Sequence, residues 1–521
     1  MLKFSSLTIG YKLVALFIGA IIFWIGIMLS ENYKDRAVST KFDGSWVPGS
    51  QLLIDRRVFG TDLRMEIMAK ESNVPLQFAS KINASKLHFN VTCANYTSPF
   101  EISYNNLYWQ VQEMKSSKII YYMYGAYFDR RIRTAPAVHV VAFLTKLENK
   151  AKRPYCQVWF NKKRKPSLVK ATSFVKLFLD GPIPHKTMIP YLVTCKIPSA
   201  MSGKVPASVS LVEAPCEKAT NNLRVIYNPL PAGEKKKDFL VCVKALFLTF
   251  KPHMAVRIVE WIELLKILGA QKIVIYNFQT HKNITRVLDY YASKDDFEVV
   301  PVTLPANYTN SPDLVSDFLA EDFWLQYKND GIQLTDCLYR NLYKFKYVTA
   351  LDIDEVIVPM KNENWHDLVY EVAVPRAAMQ HKSFDAFVTR NTYFMDDQIE
   401  RQAWFPDVPP YMHMLQNVNR RDFHNPPGVV NHTVSSKGFF DVRKILFVYC
   451  HYPLSCVNKK CSYLTFDPSE SQLQHYCIGQ TKSDCNVTDG KNIVQDVSMW
   501  KYKDELVGKT NDVLRKTGFL K

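Results

Sequence analysis

A chain of 521 residues is too long for one compact domain, and two to four units are expected at roughly 100–200 residues each. Apolar types make up 47% and charged types 22%, which excludes extended disorder, and 18 glycines with 27 prolines exclude a fibrous or low-complexity chain. The basic excess, 66 − 49 = +17, invites a nucleic-acid reading, but the first thirty residues and the glycosylation sequons weigh against it.

From Leu13 to Leu29 the sequence LVALFIGAIIFWIGIML carries no charge, and as a helix it is about 26 Å long, enough for a thin early-secretory bilayer. Lys3 and Lys12 precede it, whereas Glu31, Lys34, Asp35 and Arg36 cancel after it. The positive-inside rule then places residues 1–12 in the cytosol, a signal anchor at 13–30, and the rest in the lumen. The competing reading is a cleaved signal peptide, whose nearest small-x-small pair, Ala37 with Ser39, lies beyond four charged residues.

Seven Asn-x-Ser/Thr sequons support the lumenal placement: Asn83, Asn90, Asn95, Asn283, Asn307, Asn431 and Asn486. Eleven cysteines, none before Cys93, fit an oxidising compartment. Cys450, Cys456, Cys461, Cys477 and Cys485 read as a stapled C-terminal segment; zinc, with His451 and His475, is the alternative, although no C-x-x-C pair exists. The odd count leaves at least one thiol outside intramolecular pairs. The basic excess is assigned to anionic ligands or a negatively charged lumenal matrix, with no nucleic acid as partner.

Residues 31–75 read as a polar stem. Over 76–231, apolar runs such as KIIYYMYGAYF (118–128), AVHVVAFL (137–144) and MIPYLVTCKI (188–197) alternate with turn signals, so a β-rich accessory domain is expected. NKKRK (161–165) reads as a solvated hairpin tip and EKKKD (234–238) as a linker. Beyond it come a strand (239–247), a helix (253–270) ended by Gly269, a strand (272–278), a helix (280–294) and a strand (297–305). That alternation defines an α/β domain with a mostly parallel sheet over 238–460. A further helix from about Leu314 to Tyr327 or beyond precedes the strand-like KYVTALDIDEVIVP (346–359), and residues 461–521 form a cysteine-containing tail with a helix. No Gly-rich phosphate loop follows any strand, which argues against a dinucleotide oxidoreductase or a P-loop kinase.

Three acids, Asp352, Asp354 and Glu355, interrupt the apolar ALDIDEVIVP. Unpaired buried carboxylates cost several kcal/mol, so these belong at a strand end, paired or against a cation. In an extended chain Asp352 and Asp354 project to one side. Two hard oxygen donors so spaced suit Mn²⁺ or Mg²⁺ together with substrate phosphates, and the end of a parallel strand is where ligands of such sheets bind.

The strings CVKALF, VEWIELLKILGA, KIVIYNF, DCLYRN, LDIDEVIVP, RNTYF and KILFVYCHYP, in this order over about 238–460, resemble glycosyltransferase family 92, a GT-A type. The resemblance implies a GT-A-like, Rossmann-like nucleotide-sugar domain and a type II Golgi membrane protein. It also implies transfer of galactose from UDP-galactose, with inversion and in β1,4 linkage, to galactose or fucose on N-glycans. By the same resemblance Asp352, Asp354 and His451 are candidate metal ligands. Lys244, Tyr276, Asn277, Asp352 and Lys437 border the nucleotide sugar, and one of Asp396, Asp397 and Glu400 is the general base. Trp365, Trp404, Phe405 and Tyr411 are candidate sugar-stacking rings. The competing functions are a membrane-anchored glycan-binding protein without turnover, a transferase using another UDP-sugar, and a metal-dependent hydrolase. An oligomer is compatible with all of these.

Overall fold

The computed structural model describes residues 73–75, 93–132, 134–145, 153–161, 163, 165–178, 188–394, 405–421, 436–457, 460–476 and 493–521. All of them fall in one compact unit, 62–521. The Leu13–Leu29 run lies outside the described residues, among which no helix is long and apolar enough to cross a membrane. Asn73, near the end of the expected stem, is buried and donates from Nδ2 to the Tyr108 carbonyl at 2.9 Å, so that end packs on the first sheet.

Ten strands between Tyr104 and Ile226 make the first sheet, as the β-branched and aromatic runs lead one to expect. Its longest strand, Ile119–Asp129, pairs antiparallel with Ala137–Leu144, which pairs antiparallel with Ile189–Lys196. NKKRK lies between the antiparallel strands Tyr155–Phe160 and Ser167–Lys170, with Asn161, Lys163 and Lys165 exposed.

The second sheet is built on β1 (Lys237–Leu248), β2 (Lys272–Thr280), β3 (Phe297–Pro301) and β4 (Phe345–Ala350). They lie in the order 3-2-1-4 and are parallel throughout. Helix α1 (Met254–Leu268) follows β1, and α2 (Lys282–Ala292) follows β2. Met254, Ile258, Trp261, Ile262, Leu265 and Leu268 of α1 are buried in one core cluster with β1 and β2. Gly269 ends α1 with φ 109°, a left-handed cap that favours glycine. The single helix expected near 314–327 is two: α3 (Pro312–Glu321) and α4 (Phe323–Asn341). They break at Asp322, whose carboxylate accepts from the Leu325 N–H at 2.9 Å and so begins the second helix.

Beyond β4 the sheet is mixed, with antiparallel and parallel pairs. After β5 (Glu355–Pro359) and β6 (Ala386–Phe394), strand β7 (Ser436–Asp441) inserts antiparallel between β4 and β6. Parallel pairing is therefore continuous only over β1–β4, and it recurs where β6 meets the strands Tyr463–Thr465 and Ser471–Tyr476. The boundary expected at 460 also falls inside the sheet: Tyr463–Thr465 and β8 (Ser471–Tyr476) pair with β6, β8 pairs with β5, and α5 (Lys503–Lys516) packs against α1. Short C-terminal runs such as SQLQHY, buried at every position, carry no record of which distant strand they join, which is why they read as a tail.

Helix α4 lies between the two sheets. A single core cluster joins Trp109, Tyr127 and Leu192 of the first sheet to Leu240 and Cys242 of β1 and Leu338 of α4. The Cys242–Cys337 disulfide fastens α4 to β1, and the other described pairs are Cys93–Cys216, Cys156–Cys195 and Cys456–Cys461. Of the five cysteines expected to staple the C-terminal segment, Cys450 is a buried free thiol, and Cys477 and Cys485 lie outside the described residues.

Candidate active site

Three strand registers bring charged side chains to one place. Cys242 of β1 pairs with Ala350 of β4, so two residues on Lys244 comes beside Asp352. Phe440 of β7 pairs antiparallel with Val348, which carries Lys437 alongside Leu351 and Asp352. His475 of β8 lies opposite Glu355 of β5. Lys244 Nζ is 3.2 Å from Asp352 Oδ1, and Lys437 Nζ is 3.5 Å from Asp352 Oδ2 and 2.8 Å from Glu355 Oε2. His475 lies 3.5 Å from Asp354 through Nε2 and 3.5 Å from Glu355 through Nδ1.

The acids do not lie on an extended strand. Ile353 and Asp354 form a turn between β4 and β5, closed by the Glu355 N–H donating to the Asp352 carbonyl at 3.1 Å. The Asp352 N–H donates back to Glu355 Oε2, and the Trp261 indole of α1 donates to the Glu355 carbonyl at 2.8 Å. The turn sends the carboxylates apart, Asp352 to the lysines and Asp354 to His475. Among the described residues no three histidine, cysteine or acidic side chains converge on a point that could hold a metal, so Asp352, Asp354 and His451 are not drawn together as a ligand trio.

Lys437 has 1% of its side chain exposed. Burial alone would lower its pKa, but Asp352 and Glu355 outweigh that and hold it above the usual lysine value. Lys244 behaves alike: burial opposes the charge, while Asp352 and Asp330 raise the pKa. Both ammonium groups therefore stay charged, which an anionic ligand requires. Gly438 makes this placement possible, since a Cβ there would overlap the Phe387 carbonyl of β6. A freely solvated Lys437 is excluded.

His451 is pushed down to about 3 by burial, with Lys437 adding to the effect, so its ring is neutral. Its Nδ1 is buried without a hydrogen-bond partner. An unpaired neutral imidazole near a carboxylate is chemically suited to a divalent cation, as is the oxygen chemistry of Asp352 and Asp354. Cys450 is pushed up to about 12 by burial, against Lys437 and Lys244, and stays a thiol.

The other expected residues divide. Asn277 lies within β2, opposite Pro301 at the end of β3, with Oδ1 buried and unpartnered. Tyr276 is fully buried and its hydroxyl donates to Asp336 of α4 at 2.6 Å, a core role. Trp365 is also core: it is wholly buried, and its indole donates to the Ile357 carbonyl at 2.8 Å. Phe405 packs edge-on against Trp500 with ring centres 4.9 Å apart, and the Tyr411 hydroxyl donates to Asn511 at 2.6 Å. Asp396, Asp397, Glu400 and Trp404 lie outside the described residues. Of the sequons, Asn95 and Asn307 are exposed and Asn283 is half-buried; Asn83, Asn90, Asn431 and Asn486 lie outside the described residues.

Asp330, absent from the sequence reading, is buried on α4 with Oδ2 4.0 Å from Lys244. Burial pushes it up to about 7, with Lys244 opposing and Asp352 reinforcing the shift. The available signal was the spacing of Asp330, Gln333 and Asp336, polar residues every three positions along one face of α4.

The arrangement is a cluster of two lysines and their acids about the turn that follows β4, and the carboxyl ends of parallel strands are where α/β sheets bind nucleotides. The sequence model of glycosyltransferase family 92 matches residues 237–510, from the first residue of β1 into α5. The chain belongs to glycosyltransferase family 92. Among curated relatives it is similar to the beta-1,4-galactosyltransferase galt-1 of Caenorhabditis elegans, 28% identical over 180 residues, which span 33% of this chain and 38% of that relative. Among solved structures it overlaps S. aureus TarS (11% identity, 39% of this chain, 47% of that one, TM-score 0.22). It also overlaps the apo WbbM bifunctional glycosyltransferase (13% identity, 44% and 36%, TM-score 0.18). Both overlaps are too slight to define a shared fold.

Proposed function

We propose that this protein is a Golgi glycosyltransferase of GT-A type that moves galactose from UDP-galactose to a galactose or fucose on N-glycans. The linkage would be β1,4 and the anomeric carbon inverted. The observation that carries the reading is the Lys244–Asp352–Lys437 cluster at the ends of β1, β4 and β7, inside the family-matched segment. The similarity to a protein named a beta-1,4-galactosyltransferase supports the donor and linkage. Four described disulfides and the Leu13–Leu29 run support a lumenal, single-pass type II placement, the membrane being reached through one N-terminal helix.

In this reading the two lysines bind the diphosphate, and their charge offsets what develops on the UDP leaving group. Asp352, Asp354 and His451 are the residues that would hold Mn²⁺ or Mg²⁺, although they do not converge as they stand; a bound ion would supply Lewis-acid stabilisation of the same charge. The Trp261 indole and the Glu355 carboxylate hold the Asp352 turn, so the acid is fixed before the ligand arrives. One of Asp396, Asp397 and Glu400 takes the proton of the acceptor hydroxyl.

The test is a donor screen on purified full-length protein with Mn²⁺, each UDP-sugar and free N-glycans. UDP release that needs both UDP-galactose and a glycan ending in galactose or carrying fucose is expected. Equal turnover with UDP-GlcNAc or UDP-glucose would discard the donor. Glycan binding without turnover of any donor would establish the binding-protein alternative.

A further inference from the structure

Strand β1 changes register next to Lys244. Val243 pairs with Ile275 of β2, but the next pair is Leu246 with Asn277, so Lys244 and Ala245 together stand opposite the single residue Tyr276. One extra residue on one strand is a β-bulge, a device that re-aims a side chain beside a functional site. Its effect shows in the burial pattern. Before it, Leu240 and Cys242 face the core shared with the first sheet, while Val241 and Val243 face the α1 core. After it the parity is reversed: Ala245 faces the shared core and Leu246 the α1 core. Lys244 stands at the change and reaches Asp352.

A bulge takes a backbone N–H out of the ladder, and in a buried strand that group needs another acceptor. Here Gln333 of α4 provides it: the Ala245 N–H donates to Gln333 Oε1 at 2.7 Å. The backbone group can only donate, so the amide oxygen is the atom that meets it. Gln333 is 1% exposed, and its helix is fastened to β1 by the Cys242–Cys337 disulfide, so the acceptor is rigidly held. One turn earlier on the same helix, Asp330 lies 4.0 Å from the Lys244 ammonium, which is 3.2 Å from Asp352.

We propose that Gln333 is a positioning residue for nucleotide-sugar binding: by accepting the Ala245 N–H it maintains the β1 bulge that turns Lys244 towards Asp352 and the donor diphosphate. It touches no substrate and acts through Lys244. The proposal rests on the reading of Lys244 as a diphosphate contact.

The test is a double-mutant cycle on UDP affinity, measured by titration calorimetry with Mn²⁺ on the full-length chain in detergent. Gln333→Met keeps the length of the side chain and removes the acceptor. It should weaken UDP about tenfold or more, as Lys244→Met should, given the strength of charge-assisted contacts. The double variant should bind no more weakly than Lys244→Met alone, because residues acting through one contact are not additive. Gln333→Met with wild-type affinity, or losses that multiply in the double variant, would overturn the proposal. Should Gln333→Met fail to fold, Gln333→Glu, which keeps an accepting oxygen, decides. Wild-type affinity supports the role, and a folded Gln333→Glu that binds UDP as weakly as Lys244→Met overturns it. A wild type that does not bind UDP, or a Lys244→Met that binds it normally, contradicts the parent reading of the site instead.

Discussion

Helix α4 serves two buried polar clusters, and they are finished differently. Around Asp336 every partner is close. Arg340 donates to both carboxylate oxygens at 2.8 Å, Tyr276 donates at 2.6 Å, and Tyr127 of the first sheet donates as well. Around Asp352, which Asp330 approaches from the same helix, the contacts to the two aspartates are longer: Lys244 stands 3.2 Å from Asp352 and 4.0 Å from Asp330, and Lys437 stands 3.5 Å from Asp352, although Glu355 holds Lys437 at 2.8 Å. Nearby, His451 Nδ1 and Gln333 Nε2 are buried without partners. A closed network fixes one arrangement and so joins the two sheets; an open one keeps charge and hydrogen-bonding capacity for a ligand. The same helix is scaffold at one end and site at the other.

The largest expected effect breaks the closed cluster. Asp336→Asn leaves Arg340 buried without its counter-charge, and loss of one partner of a buried pair costs about 3–5 kcal/mol. Denaturant unfolding should show that loss, whereas Asp352→Asn, which leaves Lys437 paired with Glu355, should leave the unfolding midpoint near the wild-type value. A destabilisation below about 1 kcal/mol would remove the distinction between the clusters.

Next in size is metal removal. Exhaustive chelation should lower transfer at least about a hundredfold, since a metal clamp contributes several kcal/mol and each 1.36 kcal/mol is tenfold in rate. Added Mn²⁺ should restore it, with thermal unfolding of the Asp336 scaffold little changed. Full activity after chelation would assign the diphosphate to the lysines alone.

A third buried carboxylate sharpens the comparison. Glu260 of α1 accepts from the Met414 and Leu415 N–H groups and is pushed up to about 8 by burial, which outweighs those hydrogen bonds and the charge of Arg257. Its folded pKa lies above its ordinary 4.5, so the native state binds the proton more tightly. That contribution is full below about pH 4.5 and falls as pH rises towards about 8. Wild-type stability should therefore drop by about 2 kcal/mol between pH 6 and 8, and Glu260→Gln, permanently neutral, should flatten the slope. An unchanged slope in that variant would mean the carboxylate is ionised throughout.

The periodic elements were readable because each carries its own pattern: α1 through its apolar spacing and Gly269, and β1–β3 through their continuous apolar runs. Lys244, Lys437 and Asp352 could be singled out as charges placed where apolar strands end. What could not be read depends on register between distant strands. Apolar residues on both sides hide the β1 bulge, since a parity change between two buried faces alters nothing in the sequence. Asp354 was expected beside Asp352, but a local turn separates them. His475 and Asp330 reach the site from β8 and α4, and Tyr276 and Trp365 proved to be core because their polar atoms meet Asp336 and the Ile357 carbonyl.

The central claim, that the open cluster around Asp352 is the nucleotide-sugar site, is tested most directly by UDP release from UDP-galactose in wild type and Asp352→Asn. Both are to be assayed as full-length protein with Mn²⁺ and an N-glycan acceptor, and both checked by thermal unfolding. The account predicts acceptor-dependent release by the wild type and a loss of at least about a hundredfold in the variant, with its unfolding midpoint nearly unchanged. Near-normal turnover by a folded Asp352→Asn protein would contradict it.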